Sequence, residues 1–289
     1  MNSITIGNFE ITSLTDISGP FFRLDQIFPG VRADHWEPYF QRYPWAFADR
    51  HTLHGRVGSY LLRSHDRLIL VDTGVGPGGM GTQGQLLKDL ESNGVSPEDI
   101  DTVFLTHLHG DHVGWSVKPD GEPVFSEARY VTQAVEWEAS ASYLGRPFTS
   151  LDDLGVLDLL DGEEALTEEL TVIPTPGHSP GHASLLVSSG GKQALIAGDA
   201  ITHPAQATEP TWNIHFDMNK EQTAFTREML FGWLETDGIA VAAGHIPGSG
   251  FGRIVREDGR RYWQRLETIS DMENLPLHLD LPKEVNREN

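Results

Sequence analysis

The chain contains no cysteine. Disulfide staples, thiolate metal ligands and a cysteine nucleophile are therefore excluded, and any metal site has to be built from histidine and carboxylate. Positive charge is scarce as well: 21 Lys and Arg stand against 42 Asp and Glu, a formal net charge of −21 over 289 residues. Such a surface repels nucleic acid and anionic lipid unless basic residues gather locally. The densest basic group (Arg253, Arg256, Arg260, Arg261 and Arg265) is interrupted by Glu257 and Asp258. The expected partner is a small molecule, with neither nucleic acid nor membrane involved. No apolar run approaches a membrane span, and no repeat, low-complexity block or Ser/Gly linker divides the chain. One domain over residues 1–289 is therefore expected. No G-x-S-x-G elbow offers a serine nucleophile. The glycine run Gly74–Gly79 carries Pro77 where a dinucleotide-binding loop needs a backbone donor. The opening MNSITIGNFEITSLTD alternates like a strand, without the basic and apolar parts of a leader, which makes the cytoplasm the expected location.

What is present is a mixture of short strands and helices. Runs rich in branched and aromatic residues, bounded by Gly, Pro, Asp or Ser, predict strands at Ile4–Ile6, Glu10–Leu14, Val57–Arg63, Leu68–Val71, Thr102–Leu105, Arg129–Thr132, Leu170–Ile173, Ala183–Ser188, Ala194–Ala197 and Ile239–Ala243. Helices are predicted at Gln85–Ser92 and Gln133–Ser142. A third should open at Asn219, capped with Gln222, and bury Phe225, Met229, Leu230, Trp233 and Leu234. Between Pro20 and His51 lies an aromatic arm with little periodicity that includes Trp36, Trp45 and Phe47. It reads as a segment packed on the core, as the wall or lid of an apolar pocket, or as a subunit contact that would make a homodimer.

Chemistry concentrates in Thr106–Trp115, THLHGDHVGW, which follows a buried-strand pattern. His107 and His109, two apart in extended chain, can share one metal. Asp111 and His112, beyond the turn at Gly110, can reach a second. Imidazole and carboxylate without thiolate suit Zn, Fe, Mn or Co. Further ligand types close other strands: His178 in TPGHSPGH (175–182), Asp199 in AGDA (197–200), and His245 in AAGH (242–245).

This series, with VDTG at 71–74, resembles the metallo-β-lactamase superfamily. The resemblance implies a mixed α/β, four-layer αββα sandwich with a dinuclear centre at one edge of its sheets. One ion would take His107, His109 and His178; the other would take Asp111, His112 and His245, with Asp199 bridging. Asp72 would order the ligand loop by hydrogen bonding, and His182 is read as a buried strand-start histidine outside the ligand set. Two divalent ions, zinc by expectation with Mn, Fe or Co as alternatives, would supply hydroxide from a bridging water near neutral pH, and Asp111 would pass a proton to the leaving oxygen. The arm, WNIHFD (212–217) and the ending GHIPGSGFGRI look most like the N-acyl-homoserine lactonase and methyl parathion hydrolase branches. These imply hydrolysis of a lactone or ester with an apolar body. Phosphotriester or arylester hydrolysis and a glyoxalase II-like thioesterase are the alternatives, and an iron-dependent redox enzyme is the alternative of another class. Some lactonases carry a tyrosine three residues after the bridging aspartate, where this chain has Thr202 followed by His203. Trp115, Trp36, Trp45, Phe47, His203 and His215 are the expected substrate-binding residues.

Overall fold

A computed structural model describes residues 1–144, 146–268, 271 and 273–276. The remainder of the expected 1–289 domain lies outside them. Two seven-stranded sheets form the centre. The first runs in the order β1 (Ser3–Ile6), β2 (Phe9–Arg23), β3 (Thr52–Arg63), β4 (Leu68–Val71), β5 (Thr102–Phe104), β6 (Arg129–Gln133) and β7 (Leu157–Leu160). The second comprises β8 (Glu164–Ala165), β9 (Leu170–Pro174), β10 (Ala183–Ser189), β11 (Lys192–Ile196), β12 (Ala240–Ala242), β13 (Phe251–Glu257) and β14 (Arg260–Arg265), laid side by side in that order.

Side chains of alternate strand residues from both sheets meet in a dry core, with Ile11, Leu62, Val71 and Phe104 from one and Val172, Leu185, Ile196 and Ala242 from the other. Helices cover the outer faces. On the first sheet lie α3 (Leu86–Ser92), α5 (Ala134–Leu144) and α6 (Arg146–Asp153), burying Leu86, Leu90, Trp137, Phe148 and Leu151. The second is covered by α7 (Lys220–Asp237) together with the arm, which folds into α1 (Leu24–Ile27) and α2 (Glu37–Arg42) and buries Phe28, Trp36, Tyr39 and Tyr43. The four-layer expectation matches this arrangement.

Strands β4, β5 and β6 run parallel, as do β11 and β12. Their carboxyl ends form the edge that carries the site, the position at which open α/β sheets bind ligands. A short turn, α4 (Gly110–Val113), sits directly on this edge. Among the described residues no helix is long and apolar enough to cross a membrane.

Three expectations are corrected. The arm does not begin free of the sheet, because β2 continues to Arg23 and pairs Pro20 with His54 and Arg23 with Thr52 of β3. Strands β13 and β14 were not foreseen, although Asp258-Gly259 is a strong hairpin turn. Helix α7 is capped as expected, with the Asn219 side chain accepting from the Gln222 N–H at 3.1 Å. Its buried side is nevertheless Thr223, Arg227, Leu230, Phe231 and Leu234, while Phe225 and Met229 are 68% and 61% exposed.

Candidate metal centre and its cleft

Each ligand-type side chain follows a strand end. His107, His109, Asp111 and His112 come after β5, His178 after β9, Asp199 after β11 and His245 after β12. The fold gathers them. His109 Nδ1 lies 3.1 Å from His107 Nε2 and 3.0 Å from His178 Nε2. Asp111 and His245 approach at 3.5 Å, and Asp111 and His112 at 3.9 Å. Asp199 stands between the two groups: Oδ1 is 3.1 Å from His245 Nε2 and 3.3 Å from His112 Nε2, and Oδ2 is 3.2 Å from His178 Nε2. His107, His109 and His178 form one set able to hold a cation, and Asp111, His112 and His245 another.

The outer nitrogens show why the inner ones converge. His112 Nδ1 donates to Asp72 Oδ2 at 2.8 Å, His178 Nδ1 to Asp217 Oδ1 at 2.8 Å, and His245 Nδ1 to the Arg56 carbonyl at 2.8 Å. A ring whose outer N–H is occupied this way directs its other nitrogen inward, the one a cation would take in place of a proton. Asp72 also accepts the Thr106 N–H at 2.8 Å. It does so from a left-handed backbone (φ 62°), a conformation that costs a non-glycine residue energy and is held by its surroundings. Asp72 thus ties His112 to the backbone at the start of the THLHGDH loop.

Burial pushes the His107 imidazole far below its ordinary value, with repulsion from His112 adding to it, and burial with His178 lowers His109. In His112 and His245 burial also opposes protonation, but the Asp199 carboxylate, joined by Asp72 and Asp111 respectively, outweighs it and takes His245 up to about 9. Burial opposes the charge of Asp199, yet His245 and His112 hold it well below the carboxylate range. Among the described residues, His112 Nε2 and Asp199 Oδ1 are buried without a hydrogen-bond partner. Atoms of this kind are costly unless they share a third partner, and a cation between them satisfies both. The donor set therefore fits His/Asp metal binding.

Three carboxylates that sequence reasoning passed over, Asp217, Glu136 and Asp16, hold this cluster. Asp217 backs His178; it is fully buried beside Arg227, whose Nε donates to the Ala200 carbonyl at 2.9 Å. Glu136 accepts the Leu108 N–H at 3.0 Å and the Gly181 N–H at 2.9 Å, clamping two ligand loops together. At Asp16 the pairing of β2 with β3 shifts register, and the freed carboxylate accepts from the backbone of Val75, Gln85 and Leu86 and from Trp115 Nε1. A carboxylate breaking the apolar alternation of β2 was the available signal for Asp16. His182, read as a plain buried histidine, accepts the Asp199 N–H on Nε2 at 2.9 Å. The residue before Asp199, Gly198, has φ +51°, and a Cβ there would fall 2.6 Å from that same nitrogen.

Above the cluster opens a cleft of about 460 Å³. His109, Asp111, His178, Asp199 and His245 form its polar floor, and its walls include Phe21, Phe22, Ile27, Phe28, Val57, Met80, Ile214 and Phe216. Of the expected substrate-binding residues, His203 lies in the wall, whereas Trp115, Trp36, Trp45, Phe47 and His215 are not among the lining residues. Trp115 is turned to Asp16. Trp36 is 1% exposed, wedged against Trp212 at 4.7 Å and Phe28 at 5.1 Å. Trp45 lies under Arg265, and Phe47 meets Phe40 at 4.7 Å. His215 is exposed, while its neighbours Ile214 and Phe216, in the turn closed by the Asp217 N–H on the Ile214 carbonyl, line the cleft. The arm thus contributes its first aromatics to the cleft and packs its later ones on the second sheet.

The chain resembles proteins of known kind over much of its length. An N-acyl homoserine lactonase of Bacillus cereus is 30% identical over 155 residues, 46% of this chain and 58% of that protein. Metallo-beta-lactamase domain-containing protein 1 of Xenopus laevis is 33% identical over 143 residues, 49% of this chain and 53% of that protein. The matches thus span somewhat more than half the length of these relatives. Two solved structures share the fold. The hydrolase AbOPH of the beta lactamase superfamily has a TM-score of 0.82 at 24% identity, with 92% of this chain and 97% of that one covered. The dizinc quorum-quenching lactonase AidC, in complex with the product N-hexanoyl-L-homoserine, has a TM-score of 0.79 at 22% identity with the same coverage. Strand-end histidines and aspartates meeting at one edge of two packed sheets agree with the family model described as the Metallo-beta-lactamase superfamily, which matches residues 55–237, and the chain belongs to that superfamily.

Proposed function

We propose that the chain is a dizinc hydrolase that opens a lactone or ester with an apolar body, of the N-acyl homoserine lactone kind. One observation carries the reading: Asp199 directs one oxygen to His178 and the other to His112 and His245, on the floor of a cleft with apolar walls. In this reading His107, His109 and His178 hold one ion, Asp111, His112 and His245 hold the other, and Asp199 joins them. Divalent ions held by these residues would supply hydroxide near neutral pH and electrophilic assistance to the carbonyl. The rest falls to the chain. Asp111 is the ligand-type carboxylate most open to the cleft, its side chain 31% exposed, and is placed to hand a proton to the alkoxide as it leaves. Phe21, Phe22, Phe28 and Phe216 bind the acyl part and exclude water from it. The lactonase relatives and the dizinc neighbour support both substrate class and metal.

A hydrolysis panel on zinc-loaded protein tests this. Lactones should turn over faster with longer acyl chains, ahead of aryl esters, thioesters and phosphotriesters. Inert lactones beside rapid phosphotriester or thioester turnover would overturn the substrate assignment.

A further inference from the structure

His203 stands in the cleft wall, four residues beyond Asp199, and is 3% exposed. Its Nδ1 accepts the Ala205 N–H at 3.2 Å, which places the ring proton on Nε2. Among the described residues that Nε2–H has no hydrogen-bond partner. Its turn is fixed independently: Gln206 Oε1 accepts the N–H groups of Thr202 and His203 at 2.9 and 3.1 Å, and Gln206 Nε2 donates to the Trp212 carbonyl. The ring meets Phe28, Trp36 and Phe47 at 5.8, 5.4 and 5.3 Å, whereas the rings of His107, His109 and His178 pack on one another. Burial among these aromatics keeps the imidazole neutral, its pKa lowered to about 3. A buried donor left open is costly, and one that lines a binding cleft is satisfied when a ligand brings an acceptor.

We propose that the His203 Nε2–H donates to an uncharged carbonyl oxygen in the acyl part of the substrate, a different oxygen from that of the bond being hydrolysed. A neutral donor between aromatic edges offers no counter-charge for an anion, so an amide or ketone oxygen suits it and a carboxylate does not. The aromatic setting, apart from the packed ligand histidines, is the reason for assigning it a second acceptor. The inference rests on the proposed lactone reading for its choice of probes.

The test compares His203→Phe, which keeps a ring but removes the donor, with His203→Gln, which restores an N–H. Two lactones serve as probes: N-decanoyl-homoserine lactone, whose amide carbonyl lies outside the ring, and γ-dodecalactone, which has no amide. His203→Phe should raise KM for the first about three- to tenfold, the worth of one neutral hydrogen bond, with kcat little changed. The second substrate should be unaffected, and His203→Gln should recover most of the loss. Calorimetric titration with ring-opened N-decanoyl-homoserine should show the same drop in affinity without any turnover. If wild type hydrolyses neither lactone, the lactone reading fails, and this titration still decides the role of His203. Unchanged binding in His203→Phe would mean that the donor is satisfied within its own aromatic cluster and would overturn the proposal. An equal loss for both lactones that His203→Gln does not recover would overturn it too, by showing a packing role.

Discussion

Asp199 and Asp217 show how much of this site depends on single carboxylates. Asp199 was legible from its place after a glycine and an apolar strand. Asp217 was not: it lies within WNIHFD, a stretch noticed for its histidine, and only the fold brings it to His178 at 2.8 Å. Nothing local in sequence distinguishes such a partner from a surface carboxylate. The two predict different defects. Asp199→Asn keeps the shape but removes the charge shared between both ligand sets, so elemental analysis should find both ions depleted and turnover lost with them. Full retention of both would refute the shared role. Among the ligand-type side chains Asp217→Asn touches only His178, while it also removes the charge facing Arg227, so zinc affinity of the folded protein measured against a chelating dye should weaken about 10- to 100-fold. Loss of affinity at a single site, with the other near its wild-type value, is the expected signature.

Helix α7 shows where periodicity misleads at the scale of an element. Phe225, Met229 and Trp233 repeat every four residues and imitate a buried stripe. The stripe that faces inward carries Thr223 and Arg227, which hide it from a count of apolar residues. Arg227 is fully buried and donates to the carbonyls of Ala200 and Pro210 while facing Asp217 at 3.6 Å. Urea denaturation should separate the two faces. Phe225→Ser should stay within about 0.5 kcal/mol of wild type, whereas Phe231→Ala should cost about 3–5 kcal/mol. Arg227→Met should cost on the order of 3–5 kcal/mol, because it removes the buried cation facing Asp217 and the donor to the Ala200 and Pro210 carbonyls. A stable Arg227→Met would show that the buried pair contributes little. The β13–β14 hairpin escaped notice for a related reason. Its arginines read as a broken basic cluster, yet Arg256, Arg260 and Arg261 pair with Glu235, Glu209 and Glu228 around the second sheet.

At the scale of the molecule, the ligand-type histidines and aspartates were readable because each sits just past a strand, where sequence spacing fixes position. The cleft was not, since its walls come from the end of β2, the start of the arm, the first half of β3, the loop after β4 and the loop before α7, which only tertiary packing assembles. Phe216→Ala should therefore flatten the dependence of lactone hydrolysis on acyl length, toward which each buried methylene contributes about 0.8 kcal/mol at most. Trp115→Ala, which removes a residue turned to Asp16, should leave that dependence intact. The central claim is that both ligand sets must be filled for turnover. The most direct measurement is N-decanoyl-homoserine lactone hydrolysis by chelator-stripped protein as zinc is added back in fractions of an equivalent. The account predicts negligible activity without metal and a rise that levels off only near two equivalents per chain; full activity at one equivalent, or in stripped protein, would contradict it.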